Sequence, residues 1–187
     1  MSLIKVDAEN YLRVALGDMP VRYRGPFGPI EGVQGARRTE LLIPAGPAMV
    51  EWGREHNRDV FYFRRRGREI RRALRAGLGF SVAGRTGTVT QPHMGKTRWG
   101  RVVIVEAGGR TWRWRRRGVL MPRHQFERAD GHSVVEDRFF IVRRSRRGLH
   151  VDEAADELDV GTGVLLWASG LSRRCERVSL LDLLPVV

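Results

Sequence analysis

Through the middle of the chain, apolar positions come in short runs broken by glycine-bearing turns. Residues 101–106 carry Val102, Val103, Ile104 and Val105, Ala107-Gly108-Gly109 is a tight hairpin signal, and residues 111–116 return as a strand. Residues 122–128, a turn at Asp130-Gly131 and residues 132–137 repeat the pattern, and residues 138–143 extend it. Upstream, residues 39–43 are stopped by Pro44 and Gly46, residues 48–52 follow, and residues 59–63 carry three aromatics in a row. Residues 80–83 and 86–90 read as a pair turning at Gly84-Arg85. Short strands in series, without helices between them, predict a mainly β protein: an antiparallel β-barrel or sandwich with one buried C-terminal helix.

That helix is read from residues 160–171. Val164, Leu165, Leu166, Trp167 and Leu171 leave almost no polar side, the acids Asp152, Glu153, Asp156, Glu157 and Asp159 precede them, and Arg173, Arg174 and Arg177 follow. Acid before and base after suit a helix dipole. A helix apolar all round, and far shorter than the ~20 residues of a membrane span, belongs inside the protein. Residues 178–187 form another apolar stretch, suited to closing a sheet edge. Residues 64–80 are ambiguous: Ile70, Leu74 and Leu78 fall at helical spacing, whereas Gly67, Gly77 and Gly79 fit a hairpin equally well. Near the N-terminus, residues 7–16 suit a short helix, and glycines and prolines over residues 21–35 predict loop or irregular strands. The domain plan is an irregular extension over residues 1–38 and a barrel-like domain over residues 39–187.

Charge changes the picture. The formal net charge is +13, and of 34 basic residues only Lys5 and Lys96 are lysine. A GC-rich genome explains the preference for arginine but not the excess of bases over acids. Such a field concentrates anions: phospholipid head groups, acidic proteins or nucleic acid. The arginines gather in three clusters: Arg64, Arg65, Arg66, Arg68, Arg71, Arg72 and Arg75; Arg110, Arg113, Arg115, Arg116 and Arg117; and Arg143, Arg144, Arg146 and Arg147. Guanidinium forks grip phosphate bidentately, so these are the candidate anion-binding residues. The plainer reading is a solvated surface with arginines scattered over the barrel rims. Strand alternation puts Trp112 and Trp114 on one face and Arg113 and Arg115 on the other, which separates the aromatics from the cations that a single-strand nucleic-acid platform needs together.

Catalytic chemistry finds little support. Cys175 is the lone cysteine, so neither a disulfide nor a cysteine-based zinc site is expected. The histidines lack metal spacing, although His124 and His132 flank the Asp130-Gly131 turn and are placed to face each other across it. Ser81 and Ser133 have no nucleophile motif around them, and Gly84-Arg85-Thr86-Gly87 lacks the lysine of a phosphate loop. No enzyme activity and no cofactor are expected. Lys5, Asp7 and Glu9 stand where the apolar core of a signal peptide would lie, so a cytoplasmic protein without a membrane span is expected.

A meander of short strands followed by one apolar helix resembles the tubby C-terminal-like superfamily, which includes the tubby domain, the phospholipid scramblases and the LURP-one-related proteins. Residues 110–137, with their turn at Asp130-Gly131, and residues 160–171 carry the resemblance, which would cover residues 38–187. It is a likeness of architecture without a diagnostic motif. It implies a closed barrel threaded by the helix and, through tubby, binding of phosphoinositide head groups. Scramblase activity is not implied, because a cysteine-rich segment and a membrane-spanning end are lacking. The expected function is a non-catalytic barrel that binds an anionic partner, lipid head groups or an acidic protein, through its arginine faces. Nucleic-acid binding and a structural role in a larger assembly are the alternatives.

Overall fold

A computed structural model describes residues 2–5, 19–35, 38–52, 72–92, 102–117, 123–138 and 148–171. Within them the period-two pattern becomes a single antiparallel sheet. Its strands are β1 (Ser2–Lys5), β2 (Met19–Gly25), β3 (Gly28–Gln34), β4 (Arg38–Ile43), β5 (Gly46–Glu51), β6 (Leu78–Val82), β7 (Arg85–Thr90), β8 (Val103–Ala107), β9 (Arg110–Arg117), β10 (Arg123–Arg128), β11 (Ser133–Arg138) and β12 (Gly148–Val151). The eleven strands β2–β12 pair in chain order, and their two outer edges do not pair with each other. β1 bridges those edges: it pairs with β12 over four residues and meets β2 through the one pair Lys5↔Arg24, which turns the sheet into a ring.

The two ends of this barrel are built differently. At one end lie the two-residue turns Pro26-Phe27, Pro44-Ala45, Ala83-Gly84 and Gly108-Gly109, together with the Asp130-Gly131 turn. At the other end the strands are joined through residues 35–37, 52–77, 91–102, 118–122 and 139–147. Ala83, Gly84, Gly108 and Gly109 all have positive φ, as hairpin turns with the sheet's right-handed twist require. The β6–β7 turn therefore falls at Ala83-Gly84, one residue earlier than Gly84-Arg85, and Arg85 opens β7.

Inside the ring runs the helix α1 (Glu157–Ala168), buried from Leu158 onward. It enters at the tight-turn end, where Pro26, Pro44 and Glu157 line one small niche, and leaves at the other, where the Gln34 side chain donates to the Ala168 carbonyl. The expected buried helix is present, shifted from residues 160–171 to 157–168, because its ends are set by caps. Asp156 and Asp159 form a capping box, each side chain accepting the other's backbone N–H at 3.0 Å. At the far end Gly170 (φ 74°) and the bonds from Gly170 N to Trp167 O and from Leu171 N to Leu166 O, both 3.0 Å, make a Schellman stop. A glycine inside a helix costs about 1 kcal/mol. Here Gly161 and Gly163 are required by space: a methyl at Gly161 would run into Ile43 of β4, and one at Gly163 would stand 3.0 Å from Val135 of β11. The helix is thus embraced from opposite sides of the ring.

Residues 21–35 are not loop. β2 and β3 form a regular hairpin from Met19↔Gln34 to Gly25↔Gly28, with Val21, Tyr23 and Ile30 buried. Gly32 is a strand residue because the β4 backbone at Glu40 passes where its Cβ would be. β3 also pairs with β4, so residues 19–35 belong to the barrel and not to an extension ending at residue 38. Of the ambiguous stretch over residues 64–80, residues 72–76 are helical, with Leu74 buried, and β6 begins at Leu78. The helix expected at residues 7–16, the strands expected at residues 59–63 and beyond residue 138, and the chain end at residues 178–187 lie outside the described residues. Among the described residues no helix is long and apolar enough to cross a membrane.

Candidate functional site

Polar groups concentrate in two places. At the tight-turn end, the fully buried Asp159 accepts Trp112 Nε1 at 2.8 Å and Arg128 Nε at 3.3 Å, with a second bond from the Arg128 guanidinium. Arg110 stands 3.6 Å from Asp159 and is hydrogen-bonded to Asp156, and Arg128 also donates to the Ala154 carbonyl at 2.9 Å. Burial alone would raise the Asp156 carboxyl, but the Asp159 backbone N–H and Arg110 outweigh it and hold that carboxyl below the usual range. Arg128 is raised further, chiefly by its bond to Asp159. Two carboxylates and two guanidiniums cancel, which makes this cluster a lock that seats the helix in the barrel. At the helix C-terminus the core closes on Trp167, whose Nε1 donates to Asp137 at 2.9 Å and whose ring meets Tyr23 edge-on. Burial pushes the Tyr23 hydroxyl well above its ordinary value.

The second concentration is the outer face of β9–β11. Trp112 and Trp114 are fully buried and pack on Phe126, while Arg113 is exposed on the opposite side, as alternation predicts. The buried Glu127 takes Arg115 Nε at 3.0 Å and Arg117 Nη2 at 3.2 Å. Beyond this triad the register brings together Arg117, Arg123 and Arg138, directly opposite one another on three successive strands. Neither Arg123 nor Arg138 stands among the arginines read from the sequence clusters. The signal was nonetheless there, since residues 123 and 138 are equally distant from the turn at Asp130-Gly131.

Of the other candidates, Arg72 and Arg75 are exposed on the helical residues ahead of β6, at the same end of the barrel as Arg117. Arg116 lies in β9 opposite His124. Arg64, Arg65, Arg66, Arg68, Arg71, Arg143, Arg144, Arg146 and Arg147 lie outside the described residues. The acids Asp130, Asp152, Glu153, Asp156 and Glu157 all fall at the tight-turn end. His124 and His132 do not face each other: His124 is buried in β10 opposite Asp137, whereas His132 is exposed and bonds Asp152 at 3.2 Å. The Ala154 backbone N–H, together with His132, holds the Asp152 carboxyl below its ordinary value.

Among the described residues no group of three His, Cys, Asp or Glu could hold a metal. Among the described residues the helix packs inside the ring, and the niche beside its first turn, about 10 Å³, has room for one water at most. Thr86, Thr88, Glu106 and Thr111 line an open polar shelf on the outer face of β7–β9. Compared with known proteins, the chain matches no family model, no curated protein and no solved structure.

Proposed function

We propose that this protein docks on an anionic membrane surface through the arginines at the end of the barrel opposite the tight turns. The observation that carries this reading is the uneven use of guanidinium charge. At the tight-turn end Arg110 and Arg128 are bound to buried or half-buried carboxylates. At the other end Arg72 and Arg75 are exposed, and Arg117, Arg123 and Arg138 stand against one another in register. Two of the three sequence clusters belong to the connections between β5 and β6 and between β11 and β12, whose strand ends lie at this same end.

A ring of short strands around a C-terminal helix is the architecture that the tubby-like resemblance implies, which favours lipid head groups as the partner. Single-stranded nucleic acid is less well served, because Trp112 and Trp114 are inside and offer bases nothing to stack on. Each basic residue near an anionic leaflet contributes about 1 kcal/mol, and the attraction falls off within a Debye length.

Co-sedimentation with phosphatidylserine vesicles, against neutral phosphatidylcholine, tests this. Binding to the anionic vesicles alone is expected, steeply weakened by salt. The double charge reversal Arg72→Glu/Arg75→Glu should weaken it by on the order of a hundredfold. Equal binding to neutral vesicles, or none to anionic ones at low salt, overturns the reading. Co-purifying material that absorbs at 260 nm and disappears with nuclease would move it to nucleic acid.

A further inference from the structure

The outer surface of the barrel is not uniform. Among the described residues the exposed large hydrophobics are Phe27, Val33, Leu42 and Met49, which all fall between the β2–β3 turn and β5. Leu42 is the most exposed, at 64%. It stands directly opposite Glu31 on β3 and Pro47 on β5, which makes Val33 and Met49 its diagonal neighbours on either side, within about 8 Å. Pro20, opposite Val33, and Pro29 are exposed on the same face. The outward residues of β6 and β7 are by contrast Gly79, Ser81, Thr86, Thr88 and Thr90. Exposed apolar side chains scattered singly need no explanation, whereas a contiguous group marks an interaction surface.

Charge narrows what can cover this face. The outward charges of β2–β5 are Arg22, Arg24 and Arg38 against Glu31, Glu40 and Glu51, three of each sign. Two of the carboxylates are neutralised on the face itself, Glu31 by Arg22 at 2.8 Å and Glu40 by Arg38. A chain of net charge +13 thus has a balanced, apolar side. A polyanion or an acidic protein gains no attraction there, and two copies of so basic a chain repel each other least there. A face bearing both signs around an apolar centre can complement its own copy across a two-fold axis, which pairs a surface with itself.

We propose that the outer face of β3–β5 is the contact between two copies of this chain in a two-fold dimer centred on Leu42. Sheets pack face to face about 10 Å apart, with side chains of the two faces interdigitating. Four strands of six or seven residues, about 4.8 Å apart, present roughly 400 Å² per copy. That is below the ~800 Å² per partner of a standard interface, so the dimer is weak and reversible, with a dissociation constant on the order of 10–100 µM. This contact is independent of the membrane reading, whose exposed Arg72 and Arg75 lie at the end of the barrel and not on this face.

The test is sedimentation equilibrium of the whole, nuclease-treated protein from about 5 to 500 µM, at about 0.1 and 0.5 M salt. A monomer–dimer equilibrium is expected, tighter at the higher salt, because screening removes the repulsion of the two net charges while the apolar contact remains. Leu42→Lys should weaken it at least about tenfold, by placing two like charges at the axis. Leu42→Ser combined with Met49→Ser leaves every charge in place and should weaken it about tenfold through lost apolar burial. Thr88→Lys adds the same charge on the polar side of the barrel and should leave it unchanged. These positions are exposed, so every variant should melt close to the wild type.

A wild type that stays monomeric at the highest concentration overturns the dimer. So does a dimer that Leu42→Lys leaves intact, or one that Thr88→Lys weakens equally. Association that salt weakens runs through charge and not through this face, and overturns it as well. Loss in both Leu42 variants, with Thr88→Lys unaffected, establishes the contact. If Leu42→Lys does not fold, the serine pair decides alone.

Discussion

The two ends of the barrel spend their charge in opposite ways. Where the turns are tight and the helix enters, Arg110 and Arg128 converge on Asp156 and Asp159, and the result is neutral, half-buried and structural. Where the connections are longer and the helix leaves, Arg72 and Arg75 are exposed, and Arg117, Arg123 and Arg138 occupy paired register positions on β9–β11. The same residue type thus holds the fold together at one end and stands exposed at the other, at Arg72 and Arg75. An arginine count or a net charge cannot separate these roles; the register and the burial of the nearby carboxylates can.

The sharpest way to break this contrast is Asp159→Ala. Removing a fully buried carboxylate leaves Trp112 Nε1 without its acceptor and Arg128 without its carboxylate partner, while Arg110 keeps only Asp156. Breaking a buried pair costs about 3–5 kcal/mol, a large part of the 5–15 kcal/mol that holds a typical domain. Thermal melting followed by circular dichroism should show a drop of ten degrees or so. A variant melting within two or three degrees of wild type would mean that the cluster does not seat the helix and that the two ends are not so different.

How far could this contrast have been read in advance? The β8–β9 and β10–β11 hairpins were legible because Gly108-Gly109 and Asp130-Gly131 are local turn signals. The β2–β3 hairpin was not, because Gly32 looks like a loop residue until the β4 backbone is seen to press on it. The buried helix was legible in its apolar stretch but misplaced by one turn, since Glu157 and Asp159 belong to its first turn and not to a preceding acidic run. The arginines were grouped by proximity along the chain, whereas a sheet groups them by register. Arg117, Arg123 and Arg138 are therefore register neighbours of which the sequence clusters contain only Arg117.

Acid sharpens the comparison from the other side. The Asp156 carboxyl is held below its ordinary value, so its stabilisation is present above the unfolded value near 3.9 and is lost as pH falls through the folded one. The melting temperature should hold steady from pH 7 to about 5 and decline from about pH 4 downward. Asp156→Asn keeps an N-cap acceptor and removes the charge. It should melt below wild type at pH 7, and the gap should close below pH 4. A gap of constant size across that window would show that the cap's shape, not its ion pairing, is what matters at the tight-turn end.

The smallest effect concerns the backbone of that same end. Of the four positive-φ positions in its two-residue turns, three are glycine and the fourth is Ala83, at 49°. A left-handed conformation costs an ordinary residue about 1–2 kcal/mol, which asparagine bears more easily because its side chain bonds locally. Asparagine followed by glycine is also the preferred pair for this turn. Ala83→Asn should therefore stabilise the protein by about 0.5 kcal/mol, a gain of one or two degrees. Gly109→Ala, at φ 75° and with open space around it, should lose about 1 kcal/mol for the converse reason. Opposite signs for these two small changes would show that turn geometry contributes to the stability of the tight-turn end alongside the ion pairs. If both variants melt with the wild type, that stability rests on the Asp159 cluster alone.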